Sequence, residues 1–267
     1  MPTVKEKYGF LPKSVMTFEN VPKRWREIDS YLTIDMCKRS SSSKYLPGLK
    51  YSKFSYGLSS FVIKYWSKKR DIILDPFMGW GIRGAVAIEL ERTYIGYDIS
   101  PRMFSIASSF LDKVKSRSTL LTSSTGDYIL YNADGCKLEH SANSSVDLVF
   151  TCPPYWNLEK YESVEGQLSD CKTYDEYLVR IDEALSNCYR VLKPGKFCIF
   201  VVADFRKEGF RILHKDTIEL AAKNSFTPWD IVISVLRSPF VWTQISKCDR
   251  MKYTSKAHEY ILVFKKE

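Results

Sequence analysis

From about residue 54 to the carboxyl end, short apolar runs of strand length alternate with longer segments whose apolar residues recur at helical spacing. This alternation argues against a helical bundle and against an all-β sandwich. Parallel strands need long crossovers, so the pattern predicts a mostly parallel sheet with helices on both faces. The expected strands are 71–75 (DIILD), 94–99 (YIGYDI), 128–134 (YILYNAD), 146–151 (VDLVFT), 197–205 (FCIFVVADF), 229–236 (WDIVISVL) and 258–266 (HEYILVFKK). Helices are expected from a Ser55 cap through Trp66, then over 85–91, 101–115, 174–192 and 214–226. The Lys-Pro-Gly turn at 193–195 is expected to end the fourth of these.

A chain of 267 residues that is 45% hydrophobic can build one large core. Residues 1–50 differ from the rest: they are rich in Lys, Arg, Ser and Pro, with KRSSSSK at 38–44. They read as a basic extension ahead of a single domain over 51–267, lying against that domain or against a phosphate backbone. Lys and Arg exceed Asp and Glu by 40 to 31, a net charge of +9 that attracts polyanions. The seven cysteines form no CxxC pair, which argues against zinc ligands and a disulfide framework and fits reduced thiols in the cytoplasm. There is no signal-peptide stretch, and no run approaches the ~18 apolar residues of a membrane span, so no membrane partner is expected.

Two constellations carry chemistry. Asp75-Pro76-Phe77-Met78-Gly79-Trp80-Gly81 stands where the first expected strand gives way to helix, the place where open α/β sheets bind ligands. Gly79 and Gly81 let backbone approach a ligand closely. The full dinucleotide fingerprint is missing and no GK[ST] follows, which excludes a phosphate-cradling P-loop. Asp98 ends the next strand, 19 residues after Gly79, where a carboxylate can accept both hydroxyls of a ribose. Asp134 ends the third and is suited to accept from an adenine amino group. Acids closing three successive strands favour a nucleoside-containing cofactor.

The second constellation, Thr151-Cys152-Pro153-Pro154-Tyr155-Trp156, follows the fourth strand. Consecutive prolines fix the backbone and free carbonyls to accept. A rigid loop with acceptors and an adjacent aromatic suits a planar substrate bearing an amino group. Tyr155 is expected to stack on it, with Trp156 available beside it.

In this order the two motifs resemble those of the DNA amino-methyltransferases, the N4-cytosine and N6-adenine DNA methylases. DPFMGWG resembles their DPFxGxG cofactor loop and CPPY their [D/N/S]PPY catalytic loop, while Lys53-Phe54-Ser55 resembles their additional cofactor segment. The resemblance covers roughly residues 50–267 and implies a Rossmann-like S-adenosylmethionine-dependent methyltransferase fold, seven-stranded with an antiparallel last strand. It also implies S-adenosylmethionine as cofactor, bound by Lys53, Phe54, Ser55, Asp75, Pro76, Phe77, Gly79, Gly81, Asp98, Asp134 and Thr151. Catalysis falls to Cys152, Pro153, Pro154 and Tyr155. No metal is implied. One position departs from the family: Cys152 stands where Asp, Asn or Ser is usual, and a thiol is the weaker acceptor. The polarising role then shifts to the Pro153 carbonyl or to Thr151. A nucleophilic Cys152 is disfavoured, because the cysteine precedes the prolines.

The expected partner is DNA, with the target base flipped from the duplex or presented single-stranded. Backbone contacts are expected from 1–50, from 157–173 and from a basic, aromatic loop with Arg237, Trp242, Lys247, Arg250 and Lys252. His214 and His258 are read as structural. An RNA amino-methyltransferase and a DNA-binding subunit without turnover are the alternatives. The choice between cytosine and adenine, a homodimer and a restriction partner are left open by the sequence.

Overall fold

The computed structural model describes residues 13–17, 54–121, 125–158, 162–236, 248–254 and 256–267. Lys53, Arg237, Trp242, Lys247 and nearly all of the 1–50 extension lie outside the described residues.

The first helix is set by its cap. Ser55 is extended, and its side chain accepts from Leu58 N at the start of α1 (Tyr56–Trp66). The chain continues as β2 (Ile72–Asp75), α2 (Ile82–Glu89), β3 (Thr93–Tyr97), α3 (Pro101–Leu121), β4 (Asp127–Tyr131) and β5 (Val146–Thr151). It then forms α4 (Tyr174–Val191), β6 (Leu192–Val202), a small hairpin of β7 (Phe205–Arg206) and β8 (Phe210–Arg211), α5 (Leu213–Lys223), β9 (Thr227–Val235) and β10 (His258–Lys265). A short strand ahead of these, β1 (Val15–Thr17), runs parallel to β9.

The main sheet has eight strands in the order β1-β9-β10-β6-β5-β2-β3-β4. The expected sheet of seven is therefore extended by one strand from the basic segment. β10 is antiparallel to both of its neighbours, β6 and β9, and the remaining pairings are parallel. The other difference concerns Lys193-Pro194-Gly195, expected to lie outside the strand. β6 already begins at Leu192, and Gly195, at φ +74°, donates to the Lys266 carbonyl at 2.7 Å. The turn is absorbed as a bulge, so the pairing with β5 jumps from Val146–Leu192 to Leu148–Phe197.

Strand alternation divides the core into two layers. On one face α1, α2 and α3 bury Leu58, Val62, Ile88 and Phe110 against Ile73, Phe150, Val201 and Ile261. On the other, α4 and α5 bury Tyr177, Ile181, Leu185 and Leu213 against Leu74, Val149, Phe200 and Leu262. Side chains of this kind contribute about 1.5–3 kcal/mol each when fully buried. The strand order reverses between β2 and β5, since the chain runs outward through β3 and β4 and returns on the other side of β2. Open sheets form their ligand crevice at such a switch point, at the carboxyl ends of the strands. Here those ends are Asp75 and Thr151. Among the described residues no helix is long and apolar enough to cross a membrane.

Candidate active site

Asp75 is fully buried at the end of β2 and serves as a hub. It accepts from Arg83 Nε at 2.6 Å, Tyr94 Oη at 2.7 Å, Thr151 Oγ1 at 2.7 Å and the Phe77 amide at 3.2 Å. Its carboxylate thus faces the protein, and what it organises is the loop that follows. Arg83 also donates to the Phe77 carbonyl at 2.6 Å, and its guanidinium lies 4.5 Å from the Phe54 ring centroid. Burial alone would lower the Arg83 pKa, but the Asp75 carboxylate more than reverses this and holds the guanidinium charged. Arg83 was not anticipated. Its signal is a lone cation in the first turn of a helix that is otherwise without charge until Glu89.

Gly79 and Gly81 take left-handed conformations, φ +53° and +77°, and Gly81 forms the N-terminal boundary of α2 without a side-chain cap. A side chain is strained in that region. A Cβ added at Gly79 would meet nothing within 4 Å, so the loop borders open space there. The Gly79 amide points the other way, to Asp98 Oδ2 at 3.0 Å, and the Ser100 amide reaches Oδ1 at 2.9 Å. Burial raises the Asp98 carboxyl to about 7, against the pull of these two amides.

At the end of β4, Asn132 Nδ2 bonds the carbonyls of Asp98 and Ile99 at 2.9 and 3.2 Å, which binds the β3 and β4 loops together. Asp134 accepts from the Cys136 amide at 2.9 Å and from Arg180 Nη2 of α4 at 2.5 Å, while Arg180 also pairs with Glu183. Each Asp134 oxygen keeps a further lone pair for another donor.

The loop after β5 lies beside these. Thr151 is buried with its hydroxyl turned in to Asp75. Burial pushes the Cys152 thiol up to about 12, so it stays protonated near neutrality, which speaks against its acting as a nucleophile. Pro153 is buried, whereas Pro154 and Tyr155 are half-buried. Tyr155 packs edge-on against Phe205, ring centroids 5.9 Å apart, and Lys256 Nζ stands 5.4 Å from its centroid. Trp156 departs from the expectation of a stacking residue. It is 1% exposed, its Nε1 donates to the Cys171 carbonyl at 2.9 Å, and Tyr174 and Arg211 cover it. It anchors the far end of the loop.

Of the segment ahead of α1, Phe54 packs against Arg83 and edge-on against Phe150, and the Ser55 hydroxyl is the helix cap. Arg250 and Lys252 are exposed. His214 is held by Asp204 through Nδ1 at 2.8 and 2.9 Å and stacks on Tyr260 at 4.1 Å. Sequence reasoning also missed Lys256, just ahead of β10, and Glu259, at its start, which act on the Cys-Pro-Pro-Tyr loop. Glu259 is half-buried there and raises the Cys152 thiol.

A crevice at the switch point, a glycine turn opening on space and carboxylates closing successive strands define the class: an α/β fold of the S-adenosylmethionine-dependent methyltransferase type. Three solved structures agree on the fold. They are a SAM-dependent methyltransferase from Methanosarcina mazei (TM-score 0.51, 15% identity, 77% of this chain and 96% of that one), TrmN from Thermus thermophilus (0.53, 14%, 83% and 51%) and the [4+2]-cyclase SpnF (0.56, 15%, 93% and 99%). At such identities the likeness is one of fold alone, and SpnF shows that this fold also carries other chemistry.

The sequence is more specific. Residues 16–109 and 146–267 match the model of the DNA methylase family N6_N4_Mtase, and the chain belongs to that family. It is 43% identical over 54 residues to the Type II methyltransferase M.HinfI of Haemophilus influenzae and 38% identical over 80 residues to M.HpaI of Haemophilus parainfluenzae. These matches cover 20% and 30% of this chain, and only 15% and 24% of those two proteins. S-adenosylmethionine is the cofactor of such a methyltransferase. The residues present fit it: the open Gly79 turn and the half-buried Asp98 carboxylate form one cradle, joined by a hydrogen bond.

Proposed function

We propose that the protein transfers a methyl group from S-adenosylmethionine to the exocyclic amino group of a base in DNA, cytosine N4 or adenine N6. The observation that carries this reading is the bond between Thr151 and Asp75, which sets the Cys-Pro-Pro-Tyr loop directly beside the glycine turn. Two reactants held at adjoining strand ends need little beyond orientation, and orientation can supply several powers of ten in rate.

The bound cofactor supplies an activated methyl group on a sulfonium. In this reading Asp98 holds the ribose hydroxyls, and Asp134, steadied by Arg180, accepts from the adenine amine. Pro153 and Pro154 present carbonyls in a fixed direction, and Tyr155 offers a half-buried ring for a flipped base. The net charge of +9 and the exposed Arg250 and Lys252 favour a phosphate backbone.

The test is transfer of labelled methyl from S-adenosylmethionine to unmethylated duplex DNA and, in parallel, to folded RNA. Label in DNA and not in RNA is expected. Label in RNA alone contradicts the reading.

A further inference from the structure

Beside the carbonyls of Pro153 and Pro154, the Cys-Pro-Pro-Tyr loop offers no strong side-chain acceptor. Thr151 turns its hydroxyl inward to Asp75, and Cys152 carries a protonated thiol. A target amine that attacks a methyl group becomes more acidic as it does so, and its N–H bonds call for a stronger acceptor than a thiol.

The sheet brings a carboxyl group to this place. Ile261 and Val263 of β10 point into the layer beneath α1, α2 and α3, and Cys152 packs against the same layer. Alternation puts Glu259 on that face as well. The pairing of Thr151 with Phe200, and of Ile261 and Tyr260 with Val201 and Val202, sets Glu259 at the carboxyl end of β6, on the catalytic-loop side of the crevice. Asp204 is close by but is taken by His214. The Glu259 side chain makes no hydrogen bond or ion pair among the described residues. Lys256, over the Tyr155 ring, is the cation that faces it.

We propose that the carboxylate of Glu259 accepts the target amino group's N–H, taking the role that Asp, Asn or Ser plays at position 152 in other members of the family. The inference rests on the proposed amino-methyl transfer. In the step, the amine nitrogen forms the N–CH3 bond, the S–CH3 bond breaks with its electron pair remaining on sulfur, and the displaced N–H proton passes to Glu259. Burial raises the Glu259 pKa and Lys256 opposes the rise, which leaves a carboxylate more basic than usual.

The experiment compares the wild type, Glu259→Gln, and Glu259→Gln combined with Cys152→Asp. It measures single-turnover methyl transfer to DNA, and also S-adenosylmethionine affinity by calorimetry and duplex affinity by anisotropy. Glu259→Gln is expected to lower the transfer rate by about 100-fold, the lower end for a lost acid–base group, with both affinities within about twofold. Adding Cys152→Asp is expected to restore at least about tenfold of that rate. A merely structural Glu259 would not be rescued from another strand. An unchanged rate in Glu259→Gln, or no recovery in the double variant with both affinities intact, overturns the inference. An inactive wild type contradicts the proposed function itself, and a wild type as active as Glu259→Gln contradicts only this step.

Discussion

Thr151 Oγ1 donates to Asp75 Oδ1 at 2.7 Å, closing 76 residues of sequence into one junction between β5 and β2. Both groups are fully buried, so the bond fixes the distance between the glycine turn and the Cys-Pro-Pro-Tyr loop. Thr151→Val keeps the shape and deletes the donor. The expected loss is about 1–3 kcal/mol in urea unfolding, the usual cost of a buried polar group stripped of a partner, and Thr151→Ser should recover most of it. Methyl transfer should fall in Thr151→Val more than its stability alone explains.

Arg83 offers a harsher test of the same hub. Arg83→Met leaves Asp75 buried with its main counter-charge gone, and breaking such a pair costs about 3–5 kcal/mol. Asp75→Asn keeps only one acceptor oxygen for Tyr94 and Thr151, which bond different oxygens of Asp75, and leaves Arg83 without its counter-charge, so it should also be destabilising. Equal stability of Arg83→Met and the wild type would contradict the hub.

Cofactor binding should depend on pH. The Asp98 carboxyl is raised to about 7 by burial, so it is partly protonated at neutrality. Hydroxyl donors favour the ionised form, so affinity for S-adenosylmethionine should rise from about pH 6 to about pH 8 and level off above the raised pKa. Asp98→Asn should bind more weakly and lose this dependence, as read by calorimetry across the range.

Two adjacent aromatics should behave differently. Tyr155→Ala should retain the cofactor and lose base stacking worth about 1–3 kcal/mol, seen as weaker, slower methylation of DNA. Trp156→Phe loses the hydrogen bond to the Cys171 carbonyl and should show mainly as a lower unfolding free energy.

Much of this was legible in the residues. The apolar runs ending in Asp75 and Asp98 and closing before Asp134 are strands or strand ends as expected, and Ser55 caps α1. Local pattern decides such features. β1 escaped because three residues, Val15–Thr17, carry no period, and only the neighbouring β9 makes them a strand. The 193–195 turn was read as a boundary because a bulge and a helix stop share the same Pro-Gly signature. Arg83 stands only eight residues from Asp75, but spacing does not give the direction of its side chain. Lys256 and Glu259 could not be found by spacing because the sheet brings them to the site from a part of the chain remote in sequence. Trp156 was misjudged because a motif gives residue order and not the direction a ring faces.

The most direct test of the central claim is the identity of the methylated product. DNA methylated with labelled S-adenosylmethionine would be digested to nucleosides and the labelled species identified by mass. The account predicts N4-methylcytosine or N6-methyladenine. Label at cytosine C5, or none in DNA while the cofactor binds, would contradict it.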